Sequence, residues 1–156
     1  MTTTSTNLFK VSNFIIQFKN VKQIELMTTT ANIPGLTLGT IDIARSVVND
    51  ARPGDSLTYN DLDISVLCDE DLIAFKEVYN YIMSGAEPVF GNLDVVEPVF
   101  DATLFLTTNK NNIQHKLTFY NCFFKSISDI QLTSSSSDEE NFTFDIGIGF
   151  SYYLFD

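Results

Sequence analysis

Phe142-Thr143-Phe144-Asp145-Ile146-Gly147-Ile148-Gly149-Phe150-Ser151-Tyr152-Tyr153-Leu154-Phe155 sets an aromatic or aliphatic side chain at every second position. Successive strand residues point to opposite faces, so the run predicts one continuous strand with Phe142, Phe144, Ile146, Ile148, Phe150, Tyr152 and Leu154 on a buried face. Burying that set would contribute on the order of 10 kcal/mol before chain entropy offsets most of it. Gly147 and Gly149 fall on the less apolar face, where they leave room for a neighbouring backbone or a bend over a helix.

The segment Leu57–Cys68 repeats the pattern. Leu62, Ile64, Val66 and Cys68 share one face, and Asp61, Asp63, Ser65 and Leu67 share the other. Asp69 is placed to cap a helix, and Glu70 and Asp71 put negative charge in its first turn. Leu72, Phe75, Tyr79 and Ile82 then recur at helical spacing until Gly85.

Elsewhere Phe, Ile and Val dominate Leu8–Phe18, with a break at Ser12-Asn13, which predicts one long strand or two short ones. A short strand over Gln23–Thr29 leads to Asn32-Ile33-Pro34-Gly35, the chemistry of a type II turn. Leu36–Ala44 alternates weakly, and Asn49–Asp55 supplies turn residues, predicting a hairpin-like excursion with a polar tip. Ala86–Pro98 is a loop or edge segment, and strands return over Val99–Thr108 and Ile113–Phe124 around an Asn109–Asn112 turn. A further strand over Ser126–Leu132 precedes the polar run Thr133–Glu140, an exposed loop.

The 156 residues suit a single domain, and 44% hydrophobic against 19% charged residues predict a folded protein. Fourteen Phe, six Tyr and no Trp lean the composition towards strands. Net charge is −11, and it is unevenly spread: residues 57–156 carry sixteen acidic and four basic side chains. Gripping a nucleic-acid backbone takes clustered Lys and Arg, and no such cluster occurs. Met1–Asn7 lacks the apolar core and basic start of a signal peptide, and no stretch approaches a bilayer span, which predicts a soluble protein.

Chemistry is sparse. His115 is the sole histidine and reads as an ordinary strand residue, and no GxSxG, phosphate loop, HExxH or EF-hand pattern occurs. Asp69, Glu70 and Asp71 could meet a cation, but a helix start accounts for them. Cys68 and Cys122 lack metal or disulfide spacing and read as buried, inert thiols. Neither an enzyme, a cofactor nor a metal site is expected.

This order of elements resembles the tail tube proteins of contractile-tailed bacteriophages, with the type VI secretion tube more distant. The likeness spans nearly the whole chain. Asn7-Leu8-Phe9-Lys10-Val11 looks like the opening strand, and Ile33-Pro34-Gly35 like the turn after the second. Leu57–Glu70, a strand running into a capped helix, is similar to the central unit. Tyr120–Phe124, Ile127–Leu132, the polar loop and the final strand to Asp156 resemble the closing unit. Many members carry a Trp in the helix and a Pro after the aromatic strand; here Trp is absent and Phe124-Lys125 occupy the Pro region.

The resemblance implies a mainly β protein with one α-helix (α+β), an antiparallel β-sandwich or barrel-like tail tube fold with an external helix, spanning residues 1–156. It implies a structural virion protein whose hexameric rings stack into an inner tube conducting phage DNA, without specific binding and without a membrane. Tail sheath, baseplate and tail terminator proteins would be its partners, in the phage tail after assembly in the host cytoplasm. A minor baseplate-proximal tube protein, or a monomeric β-barrel carrying a small ligand among its Phe and Tyr rings, are the alternatives.

The acidic composition fits a conduit independently, because a passing polyanion finds few cations to bind. If the Leu62, Ile64 and Val66 face packs on the helix, Asp61, Asp63, Ser65 and Asp145 point away from it and become candidates to line a lumen; plain solvent exposure accounts for them equally. In the excursion Arg45–Asn60, Arg45, Asp50, Arg52 and Asp55 are candidates for contact between rings, against the alternative of an exposed loop.

Overall fold

The computed structural model describes residues 13–19, 21–44, 47–85, 99–108, 110–134 and 141–156. In chain order they form β1 (Phe14–Phe18), α1 (Lys22–Met27), β2 (Thr28–Ala31), β3 (Leu36–Ala44), β4 (Asn49–Tyr59), β5 (Leu62–Leu67), α2 (Ile73–Gly85), β6 (Phe100–Thr107), β7 (Ile113–Ile127), β8 (Thr143–Gly149) and β9 (Tyr152–Phe155). The protein is thus mainly antiparallel β with one long helix. The expected strand over Leu8–Phe18 is described only as β1, and Ala86–Pro98 lies outside the described residues, as does most of Thr133–Glu140.

Seven strands form one sheet in the order β1-β6-β7-β8-β5-β2, with β9 also on β7, and β3 and β4 form a separate two-stranded ribbon. β7 is the hinge of the architecture. Its first half pairs β6 and β9, and its second half pairs β8. Between the halves Asn121 takes φ 55°, and the ladder to β6 shifts register between Phe100 and Ala102. A left-handed residue inside a strand bends it and reverses which parity faces inward. Leu117 and Phe119 are buried before Asn121; Cys122 and Phe124 are buried after it. The bent sheet folds around one apolar cluster, in which Phe119, Ile146, Ile148, Leu62 and Ile64 are almost wholly excluded from solvent.

That reversal corrects the expectation of a single strand from Phe142 to Phe155. Phe123 pairs Gly149 and Tyr120 pairs Tyr152, so β8 and β9 run along one edge of β7, but they break at Phe150-Ser151, opposite Asn121. Ser151 N donates to Tyr120 O at 3.0 Å there, and the inward parity flips on this strand too. Phe144, Ile146 and Ile148 are buried as expected. Phe142, Tyr152 and Leu154 are exposed instead, and Tyr153 turns inward to meet Phe119 at 5.3 Å between ring centroids.

α2 lies over the Leu62, Ile64 and Val66 side of the sheet: Phe75 meets Phe144 edge-on at 5.4 Å, and Tyr81 meets Phe124 at 5.4 Å and Phe100 at 6.0 Å. Asp69 Oδ1 accepts from Ile73 N at 3.0 Å and so caps the helix as expected, but Leu72 has φ 53° and the helix begins only at Ile73, which leaves Glu70 and Asp71 outside a first turn expected to hold them. Its inward face is consequently rotated from the expected one. Ala74 and Val78 are buried, Phe75, Tyr81 and Ile82 pack beside them, and Tyr79 is exposed.

Four further expectations change. The predicted strand over Gln23–Thr29 is α1 followed by β2: Val21, Ile24 and Met27 turn inward at a spacing of three, and the Thr28 hydroxyl donates back to Ile24 O at 2.6 Å. Gly35 does not take positive φ, so Asn32–Gly35 is not a type II turn. Asn32 organises the segment with its side chain, accepting from Asp63 N at 2.7 Å and donating to Asp61 O at 3.2 Å. The hairpin at 36–59 is real, but Asn49–Asp55 belongs to β4, paired along β3, and the chain reverses between Ala44 and Asn49. Finally, β7 continues to Ile127, and Ser128–Leu132 forms no strand.

Of the two thiols, Cys122 is buried, and that burial pushes it up to about 12. Cys68 is only half-buried, at the end of β5; neither is in a disulfide.

Candidate functional site

The sheet face that looks away from α2 is built by β2, β5, β8 and the second half of β7. Register places Ser65 opposite Asp145 and Asp63 opposite Gly147. The four residues singled out from the sequence, Asp61, Asp63, Ser65 and Asp145, therefore do share one surface. They line or adjoin an open concavity of about 550 Å³ bounded also by Thr30, Asn32, Ser126 and Ser128.

Each carboxylate there has a different environment. Asp145 Oδ1 accepts from the Ser65 hydroxyl, and its backbone N donates to Ser128 Oγ at 2.8 Å. Asp61 Oδ2 accepts from Lys125 Nζ at 2.7 Å. The carboxylate of Asp63 is exposed on the same surface, with its backbone held by Asn32. The surface is short-chained, hydroxyl-rich and negative, and Lys125 is its one cation among the described residues. Such a surface offers hydrogen bonds to water and little grip to an anion.

Lys125 was not legible as part of this surface. It sits at a β-bulge, where the β7 register to β8 shifts between Phe124 and Ser126. Alternation counted from Leu117 and Phe119 would turn Lys125 inward; the reversal at Asn121 turns it outward beside buried Phe124, and the extra residue of the bulge adds Ser126 to the same side. Gly147 and Gly149 also find their explanation here: a neighbour does approach closely, through its side chains rather than its backbone. A Cβ on Gly147 would lie 2.5 Å from Ser126 Oγ, and one on Gly149 would lie 2.5 Å from the Phe123 ring. Side chains of β7 lie down across β8.

Three of the four ring-contact candidates occupy the ribbon. Asp50 and Arg52 stand 3.7 Å apart on β4, so Arg52 has a carboxylate within its own chain; Asp55 is exposed further along the strand. Arg45 lies outside the described residues. Exposed Leu36, Leu38, Ile41 and Leu57 make this ribbon apolar as well as charged. Tyr59 fastens its base, with ring centroids 5.6 Å from Phe150 and 5.4 Å from Tyr153. The Tyr153 hydroxyl donates to Pro34 O at 2.9 Å.

Among the described residues no group of three or more His, Cys, Asp or Glu is placed to hold a metal ion, and no helix is long and apolar enough to cross a membrane. His115 is an exposed residue of β7.

No family model and no curated protein matches the sequence. Solved structures do match its fold. A chain from the sheath–tube complex of an extracellular contractile injection system, PVC, in the extended state superposes with a TM-score of 0.66 at 15% identity, covering 97% of this chain and 93% of that one. A chain from the six-fold symmetrised baseplate of the anti-feeding prophage reaches 0.71 at 6% identity, covering 96% and 95%. Hcp1 from Flavobacterium johnsoniae reaches 0.54 at 12% identity, covering 92% and 94%. The chain has a tail tube fold. The external helix, the sheet bent around one core and the strand-to-helix unit β5–α2 are its parts here.

Proposed function

We propose that this chain is a single-domain structural subunit, residues 1–156, whose hexameric rings stack into the inner tube of a contractile phage tail and conduct DNA. The observation that carries the reading is the polar, acidic face of β5 and β8, set opposite the helix-covered core in a chain with a tail tube fold. Turned inward in a ring, Asp63, Ser65 and Asp145, with Asp61, present the bore. A polyanion passing within about 10 Å of such a wall meets repulsion and no phosphate-binding groups. The ribbon β3–β4, with Asp50, Arg52 and Asp55, reaches towards the next ring, and Arg45 is the fourth residue of that contact in this reading. Sheath, baseplate and terminator proteins are the partners this role requires, in the virion tail after assembly in the host cytoplasm. The reading involves no active site and no cofactor.

Negative-stain microscopy of the concentrated purified chain tests assembly: rings or tubes are expected, and a persistent monomer would overturn the reading. The bore assignment has its own test. Virions carrying Asp63→Lys together with Asp145→Lys are expected to assemble normally and eject DNA slowly; ejection at the wild-type rate would remove those residues from the lumen.

A further inference from the structure

Lys125 poses a problem for a conduit. It is the one cation on β2, β5, β8 and the second half of β7, and its place next to buried Phe124, after the parity reversal at Asn121, turns it onto the acidic face. In a ring of identical subunits a single such lysine becomes a circle of cations, each able to hold a phosphate. The structure shows where its charge goes. Lys125 Nζ lies 2.7 Å from Asp61 Oδ2, close enough for a charge-assisted hydrogen bond.

The route of that pair is unusual. Lys125 is on β7 and Asp61 adjoins β5, and β8 lies between those strands. Neighbouring strands are about 4.8 Å apart, so the bridge spans roughly 9–10 Å of sheet. It can do so only where the intervening strand raises no side chains into its path. Gly147 and Gly149 occupy the outward positions of β8 at this level, facing Asp63, Ser126 and Phe123. Asp63, two residues from Asp61 and on the same face, makes no ion pair among the described residues, and Asp145 is engaged by Ser65.

We infer that Asp61 is the neutralising partner of Lys125, a positioning residue that withholds the face's cation from a passing polyanion, and that the glycines of β8 make its reach possible. Asp61 and Asp63, indistinguishable in sequence, thereby have separate tasks: one cancels a cation and the other supplies free negative charge. The inference rests on the conduit reading for its biological sense, but the pairing is a property of the chain itself.

The test compares two substitutions of equal charge. Binding of a fluorescent DNA duplex to the purified full chain at low salt is measured for Asp61→Asn and Asp63→Asn. Asp61→Asn frees the lysine and is expected to raise the association constant roughly fivefold, steepening the salt dependence of log K by about one unit. Asp63→Asn is expected to change it less than about twofold. Adding Lys125→Gln to Asp61→Asn is expected to return binding to the wild-type level. A second readout needs no DNA: acylation of Lys125 by an amine-reactive ester, followed by mass spectrometry, is expected to accelerate in Asp61→Asn and not in Asp63→Asn. Equal responses to the two aspartate substitutions, no response to Asp61→Asn, or failure of Lys125→Gln to reverse it would overturn the inference. Micrographs of the same wild-type preparation judge the tube reading separately, because the contrast between variants does not depend on ring formation.

Discussion

β5 and β3 carry similar alternations and meet opposite fates. Leu62, Ile64 and Val66 on β5 are no more than 1% exposed, whereas Leu36, Leu38 and Ile41 on β3 are 54%, 47% and 55% exposed. The difference lies in what surrounds them. β5 has β2 and β8 on its two edges and helices over its apolar face. Among the described residues β3 has only β4, and a two-stranded ribbon supplies no second layer of its own to cover either side. Apolar alternation thus says which side chains can be buried, and the rest of the chain decides whether they are. In the tube reading the missing layer over the ribbon is another subunit.

Placing a charge at one position of each strand gives the largest contrast. Ile64→Asp would bury an unpaired carboxylate beside Ile146, its cross-strand neighbour, at a cost of more than about 4 kcal/mol. With total stability near 5–15 kcal/mol, soluble expression is expected to fail. Ile41→Asp, on the ribbon, is expected to move the melting temperature by less than about 2 °C. The same variant is expected to lose ring stacking in micrographs. Equal melting losses in the two variants would show that the ribbon is part of the cooperative core.

A glycine sharpens the same contrast at smaller scale. A Cβ on Gly54 would stand 2.9 Å from the carbonyl oxygen of Gly39, in the backbone of the paired strand, which cannot step aside. Gly54→Ala is expected to cost the ribbon about 1–2 kcal/mol, seen as faster amide exchange along β3 and β4. Exchange in β5 and β8 should stay at the wild-type rate; slowing or acceleration there would tie the ribbon to the body more firmly than Tyr59 alone allows.

These contrasts also mark how far the sequence could be read. The buried face of β5, the Asp69 cap and the β6–β7 turn, with Asn111 at φ 58°, follow from side-chain chemistry within a few residues. So does the grouping of Asp61, Asp63, Ser65 and Asp145, because strand parity alone puts each on the outward face. The break in the final strand was hidden because Tyr152, Tyr153, Leu154 and Phe155 are apolar in both parities and cannot register a flip. Its cause is Asn121, about thirty residues earlier, and only strand pairing joins the two. Lys125 escaped for the same reason, since the parity of Leu117 and Phe119 would bury it and only the reversal at Asn121 turns it outward. α1 was misread because six residues are too few for a helical period to stand out from alternation.

The smallest effect concerns the other exposed end of the sheet. β9 lies at an edge like the ribbon, but the residue that follows it is held: Asp156 N donates to Lys116 O at 2.9 Å, and Lys116 Nζ donates to Asp156 Oδ2 at 2.8 Å. That hydrogen bond, with the attraction between the charges, holds the Asp156 side-chain carboxyl below the ordinary aspartate range and raises Lys116 above the ordinary lysine range. A lowered carboxyl contributes stability that is complete above the ordinary aspartate value and is lost as pH falls through the lowered one. A raised lysine contributes below its ordinary value and loses that contribution as pH rises through the raised one. The pair is therefore expected to be insensitive to pH from about 5 to 9 and to weaken outside that window. Both groups are exposed, so Asp156→Asn is expected to lower the melting temperature by less than about 1 °C, and less again at high salt. Faster exchange of the β9 amides in that variant, with β3 and β4 unchanged, would separate an edge pinned by its own chain from one that waits for a neighbour.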